Sequence, residues 1–279
     1  MTEERRIRKR KIPSTTEQLP EIGLGTWQTF DAPVSSPITQ KIVENTQLFY
    51  EEGGRLIDTS PMYGFSEKMI GHCRHCLNIQ DIFLATKVWT KGRKEGFLQI
   101  QNSFEMMKTE KIDLLQIHNL VDFETHLKTL RELKEKKKIR YLGITHYLSS
   151  AFEQIESIMK KDPIDFIQIP YSVQTRDAET KLLPLAEEKN IAVIVNRPFE
   201  GGTLFNLTKN KPLPESLLST GCRSWAQVFL RFILAHPAVT CVIPATRNPE
   251  FLRENLECGR LPLLTLEQKT TIIKEISRL

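Results

Sequence analysis

The stretch IDLLQIHNLVDFETHLKTLRELKEKKKIRYLGIT, residues 112–145, holds the plan of the fold. It begins and ends on β-rich runs, IDLLQIH (112–118) and IRYLGIT (139–145). Their central residues, Leu115 and Leu142, lie 27 positions apart, enough for one strand–helix–strand crossover. The same unit recurs in both directions. EIGLG, RLIDT and DIFLATK precede it, and DFIQI, IAVIV and TCVIP follow it. The central residues of those runs are Ile22, Ile57, Leu84, Ile167, Val193 and Val242. Successive centres are 25 to 35 residues apart until the last gap, which is 49.

The intervening segments show helical periodicity. Ile42, Thr46, Phe49 and Tyr50 share one stripe, and Phe97, Ile100, Phe104 and Met107 another. Trp225, Val228, Phe229, Phe232 and Ile233 follow the i, i+3, i+4, i+7, i+8 rule. Most strand runs are continuously apolar, as expected where both sheet faces are covered. Eight strands with intervening helices in about 250 residues predict an α/β fold of the (β/α)8 TIM-barrel type. An open doubly wound sheet is the rival. It calls for G-x-G-x-x-G after its first strand, and GLGTW (23–27) lacks the third glycine. The long last gap holds Gly201, Gly202, Pro212 and Pro214, so it contains an extended loop or a small extra element. TLEQKTTIIKEISRL reads as an additional C-terminal helix opened by Thr265. No linker or composition break divides residues 1–279, which read as one barrel domain opening on a basic arm within 1–20.

Composition narrows the class. The chain is 40% hydrophobic and 26% charged, an ordinary globular mix. No apolar run reaches the 18 residues that a membrane helix requires. The net charge of +5 is local: six of the seven residues in RRIRKRK (5–11) are basic. Without those six, 33 basic residues face 34 acidic ones, so no whole-domain field for nucleic acid exists. The cluster reads as a solvated N-terminal strand or arm. Arg5-Arg6 is not followed by the apolar segment of an export signal, and the chain reads as cytoplasmic. The five cysteines are odd in number and scattered, which fits reduced thiols. His72-Cys73-Arg74-His75-Cys76 has metal-like spacing but no matching second pair, so no metal site is expected.

In a barrel, chemistry gathers where the strands end. Those ends carry Asp58, Thr59, Ser60 and Tyr63, then Lys87 and Trp89, then His118 and Asn119. Thr145 and His146 follow, then Gln168 and Tyr171, Asn196 and Arg197, and finally Thr246 and Arg247. Asp, Tyr, Lys and His at one mouth make a set that can move a proton. Tyr63 can be the general acid; an ammonium at Lys87 lowers its pKa from about 10. Asp58 can pair with Lys87, and His118 can donate to a nearby oxygen and polarise it.

The chain resembles the aldo-keto reductases. DTSPMYGFSE (58–67), LATK (84–87), LLQIH (114–118), KIRYLGIT (138–145) and IPATRNPEFLREN (243–255) look like that family's strand-end motifs, in its order. The resemblance implies a (β/α)8 reductase that moves hydride from a nicotinamide cofactor to a carbonyl, with the catalytic tetrad Asp58, Tyr63, Lys87 and His118 and an N-terminal β-hairpin over 1–20 closing the barrel floor opposite the site. It implies an NAD(P)H cofactor, NADP(H) before NAD(H), along the barrel mouth. Gln168 matches the residue that holds the nicotinamide carboxamide, and Thr145-His146 stand for the family's Ser-Asn. Asn196 replaces a stacking aromatic, a part that Phe199 can take. The loop of Arg197, Pro198, Phe199 and Gly202 suits pyrophosphate. Thr246, Glu254 and Asn255 keep part of the adenosine-phosphate signature. Ala245 and Phe251 replace two of its cations; Arg247 can stand in, with Asn248 capping the next helix. Trp27, Phe30, Phe65 and Trp89 are candidate walls for a small-molecule carbonyl substrate, in a monomer or weak oligomer with no nucleic-acid or membrane partner. A catalytically idle nicotinamide-nucleotide sensor or subunit is the alternative.

Overall fold

The structure, a computed structural model, describes residues 6–279. A hairpin of β1 (Lys9–Lys11) and β2 (Gln18–Pro20) comes first, antiparallel, with Arg10 opposite Leu19. The sheet then takes its strands in chain order: β3 (Leu24–Gly25), β4 (Leu56–Asp58), β5 (Phe83–Val88), β6 (Ile112–His118), β7 (Ile139–Thr145), β8 (Phe166–Pro170), β9 (Ala192–Asn196) and β10 (Val239–Val242). Every neighbouring pair is parallel. The first and last strands meet: Ile22 bridges Val242, Gly23 N–H donates to Val242 O at 2.9 Å, and Val242 N–H donates to Glu21 O at 2.9 Å. These bonds close the barrel.

The crossovers are α1 (Thr39–Glu51), α2 (Ser66–Leu77), α3 (Arg93–Met106), α4 (Phe123–Glu135), α5 (Phe152–Lys161) and α6 (Leu182–Lys189). The 49-residue gap holds two short helices, α7 (Thr203–Leu207) and α8 (Glu215–Leu218), ahead of α9 (Trp225–Leu234). After β10 come α10 (Pro249–Cys258) and the added helix α11 (Leu266–Ser277). Thr265 opens α11 in a reciprocal capping box with Gln268. No helix among the described residues is long and apolar enough to cross a membrane.

The apolar strand runs divide between two cores at every second residue, because successive side chains leave opposite faces of a strand. Ile57, Leu84, Leu115, Ile117, Leu142, Ile144, Ile167 and Val193 belong to the cluster that includes the helices. Leu56, Phe83, Ala85, Leu114, Tyr141, Phe166, Ala192, Ile194 and Cys241 form a second cluster inside the barrel. Ile12 and Leu19 of the hairpin complete that inner cluster as a plug under the floor. Followed toward the strand ends, the inward positions change character: Asp58, Lys87, Gln116, His118, Thr145, Gln168 and Asn196. The barrel is apolar at its floor and polar at its mouth.

The basic segment departs from the expected solvated arm. Arg5 lies outside the described residues, and Arg6 is exposed. Ile7, however, is buried, and Arg8 and Arg10 both pair with the buried Glu21, at 2.7 and 2.6 Å. The Arg10 guanidinium also donates to the carbonyls of Leu234, His236, Pro237 and Val239. Arg8 donates to Leu261 and Cys258. These cations tie the hairpin to the last turn of α9 and the end of α10. A charge count along the chain cannot register such partners, which lie more than 200 residues away.

Candidate active site

Asp58, Lys87 and His118 come from adjacent strands, and Tyr63 from the turn after β4. Thr26 donates through N–H and Oγ to the Asp58 carbonyl, at 3.2 and 2.9 Å, fixing that strand end. Lys87 is wholly buried, and its Nζ donates to Asp58 Oδ2 at 2.7 Å and to Thr59 O at 2.6 Å. Burial opposes an ammonium there, but the Asp58 carboxylate overrules it and holds Lys87 above the ordinary lysine range. Nζ lies 5.2 Å from the centre of the Tyr63 ring. For Tyr63, burial outweighs the pull of Lys87, so its pKa lies above the usual value, contrary to the sequence-based expectation of a lowered one. The phenol therefore holds its proton at neutral pH.

His118 stands edge-on to Tyr63, with ring centres 6.2 Å apart. Burial and then the Lys87 charge push its pKa down to about 3, so it is neutral. Its Nδ1 lies 3.2 Å from Ser60 Oγ, which also accepts the Met62 N–H at 3.4 Å.

A cavity of about 660 Å³ opens over these groups. Asp58, Tyr63, His118, Thr145, Gln168, Asn196, Arg197, Pro198 and Phe199 line it, with Trp27 and Trp89 at its walls. Lys87 lies behind this surface. Arg197 and Glu200 have positive φ, 49° and 53°, in the loop that continues to Gly202. Such strained backbone concentrates at functional sites. Among the described residues the Arg197 guanidinium has no partner. Asn196 donates to His146 O at 3.2 Å while its buried Oδ1 has none.

Other expected residues lie elsewhere. Phe30 is 1% exposed and packs in the outer core, not on the cavity. Phe65 precedes α2, exposed, its N–H donating to Asp31. His146 stacks on Tyr147, which does line the cavity. Thr246, Arg247, Glu254 and Asn255 are outside the lining. Thr246 accepts the Asn248 N–H, and Asn248 caps α10 through Glu250 N–H at 2.9 Å. Arg247 is exposed, and Asn255 is buried. Gln168 uses both ends of its amide inside the protein: Nε2 donates to Asp58 Oδ1 at 2.7 Å and Oε1 accepts from Thr145 at 3.1 Å. The sequence reading overlooked Gln116, Met62, Tyr147 and the part of Ser60. For Gln116 a signal was present, since it lies two residues before His118 on one strand and so faces inward with it.

No group of three or more potential metal ligands occurs among the described residues. Cys73 is buried and Cys76 exposed beside His72 on α2.

The chain matches the model of the Aldo/keto reductase family over residues 21–277. It is 29% identical to the aldo-keto reductase YhdN of Bacillus subtilis, over 66% of this chain and 60% of that one. It is 26% identical to the methylglyoxal reductase YeaE of Escherichia coli, over 88% of this chain and 90% of that one. An aldo/keto reductase of Klebsiella pneumoniae, solved in complex with NADP and acetate, superposes with a TM-score of 0.79 at 20% identity, covering 93% of this chain and 92% of that one. A barrel whose polar mouth gathers Asp58, Lys87, Tyr63 and His118, matched over nearly its whole length by one family model, leads to a single assignment: the chain belongs to the aldo/keto reductase family, as an NAD(P)H-dependent carbonyl reductase.

Proposed function

We propose that the protein reduces an aldehyde or ketone to the alcohol with Tyr63 as general acid. The observation that carries this reading is the Asp58–Lys87 pair, held at 2.7 Å behind a Tyr63 that keeps its proton. The cavity suits a dinucleotide. Arg197 offers an unpaired cation beside a glycine loop, and an added Cβ at Gly202 would meet nothing within 4 Å. Asn196 offers a buried acceptor that lacks a donor. A nicotinamide dinucleotide bound there supplies hydride to the carbonyl carbon. Arg197 and the loop to Gly202 would hold its pyrophosphate, and Asn196, Phe199, Thr145 and Gln168, which line the cavity, its nicotinamide end. Arg247, exposed and without a partner among the described residues, stands beside the capped start of α10 and, with Glu254 and Asn255, supports a preference for NADP(H).

His118 donates its Nε2 proton to the substrate oxygen as a hydrogen bond, fixing and polarising the carbonyl. Tyr63 transfers its phenolic proton to that oxygen as negative charge develops there. Lys87 stabilises the phenolate left behind, and Asp58 keeps Lys87 charged and in place. Solvent entering the cavity restores the tyrosine proton. Trp27, Trp89 and Tyr147 give the carbonyl's substituents apolar walls.

The test is NADPH or NADH oxidation with a panel of aldehydes and ketones, methylglyoxal included. Tyr63→Phe is expected to lose turnover by at least about a thousandfold and to bind cofactor within about twofold of the parent. Full turnover by that variant would remove Tyr63 from the acid role. Quenching of tryptophan fluorescence by cofactor without turnover in the unmodified protein would favour a nucleotide sensor.

A further inference from the structure

Asp58 receives more than its lysine. Lys87 takes Oδ2, while Oδ1 accepts two amide N–H groups, Gln168 Nε2 at 2.7 Å and Gln116 Nε2 at 3.3 Å. Gln116 is completely buried, and its other terminal atom, Oε1, has no partner among the described residues. Turning the amide over would not relieve this, because it would set a carbonyl oxygen against a carboxylate oxygen. The amide is thus held with its positive end on the anion and its acceptor unmatched. An unmatched buried acceptor is costly, so the position is occupied for its donor. The neighbouring strand leaves room for it. Gly143 is in register with Gln116, and a Cβ added at Gly143 would come within 3.3 Å of Gln116 Cγ and 2.8 Å of Phe166 O.

We propose that Gln116 is a positioning residue for carbonyl reduction: with Gln168 it grips one oxygen of Asp58 so that the other oxygen aims Lys87 at Tyr63. Gln116 touches neither substrate nor cofactor. It acts through the carboxylate, fixing the plane of the group by a contact on the side away from the ammonium. The inference rests on the reading of Tyr63 as acid. The titratable groups facing this cluster are Lys87, Tyr63, His118, Cys241 and, behind Lys87, Glu67.

The experiment uses the full chain with NADPH and 4-nitrobenzaldehyde as the probe carbonyl. Gln116→Leu, similar in volume but without a donor, is expected to lower kcat about tenfold with cofactor affinity within twofold. The alkaline limb of kcat, set by loss of the Tyr63 proton, is expected to move to higher pH, because the ammonium that favours phenolate is no longer aimed at it. Gln116→Glu separates this from a folding defect. A protonated carboxyl can donate to Asp58 and an ionised one repels it, so activity is expected to return as pH falls and to disappear as pH rises, with the variant folded throughout by circular dichroism. The proposal is overturned if Gln116→Leu keeps kcat within twofold and an unmoved alkaline limb, or if a folded Gln116→Glu follows the parent's pH profile. Tyr63→Phe run alongside keeps the two readings apart. If Tyr63→Phe is inactive while Gln116→Leu behaves as the parent, only the role of Gln116 fails; if Tyr63→Phe turns over, the acid assignment fails first.

Discussion

Lys87 and His118 show how much of the site's chemistry is set by burial. Both are buried, yet one is held charged and the other neutral. The difference is the partner: Lys87 meets a carboxylate at 2.7 Å, and His118 meets a hydroxyl at 3.2 Å and feels the Lys87 charge. A histidine held neutral in the folded state gains a proton more readily when the chain unfolds. Its folded pKa is about 3 against an ordinary 6.5, so its contribution to stability is complete above pH 6.5 and drains away as pH falls toward 3. His118→Asn is expected to flatten the loss of stability between pH 6 and pH 4, by as much as about 1.4 kcal/mol per pH unit. Urea denaturation at several pH values measures this, and parallel slopes for parent and variant would contradict it.

Among the elements, the N-terminal hairpin is the one whose part changed most between sequence and structure. Its basic residues looked like a solvated arm, but Arg10 gathers four carbonyls around the end of α9 and pairs with a Glu21 that is 1% exposed. Removing one partner of a buried pair leaves an uncompensated charge. Arg10→Ala is expected to lower stability by about 2–4 kcal/mol. It should leave kcat/KM within twofold, because the hairpin plugs the floor and the cavity opens at the mouth. Denaturant midpoints and steady-state rates test the two halves separately. A large fall in kcat/KM at full folding would place the hairpin in the catalytic machinery. The helices were easier to anticipate. Thr265 caps α11 and Asn248 caps α10 because short polar side chains reach their own following N–H groups, an interaction wholly local in sequence. The stripe on α3 was only partly correct: Ile100 and Met107 are buried while Phe97 is exposed at the start of the helix.

At the scale of the molecule, charge is divided between the two ends of the barrel. Arg8 and Arg10 are consumed by protein partners at the floor; among the described residues, Arg197 and Arg247 keep unpartnered guanidinium groups on the side where the strands end. Arg197→Ala is expected to weaken binding of NADPH and NADH alike by about tenfold, with a smaller effect at high salt. Arg247→Ala is expected to weaken NADPH more than NADH. Fluorescence titration of both cofactors decides each case; equal losses at Arg247 would remove it as the reader of the extra phosphate.

Order along the chain was sufficient for the architecture, because a parallel barrel repeats one crossover and each strand run lies a helix away from the next. It was also sufficient to bring Asp58, Tyr63, Lys87 and His118 to one mouth, since each stands at or just beyond a strand's end. Alternation within the strands was less visible. Residues such as Leu114 and Leu115 are both apolar and read as one run, although one faces the barrel interior and the other the helices. That division, and with it the inward place of Gln116, exists only once the sheet has closed on itself and its two faces have become different solvents. The grip of Gln116 and Gln168 on Asp58, the neutral state of His118 and the docking of Arg10 all arise from groups 50 to more than 200 residues apart. Their energies depend on exclusion of water, which no local pattern encodes.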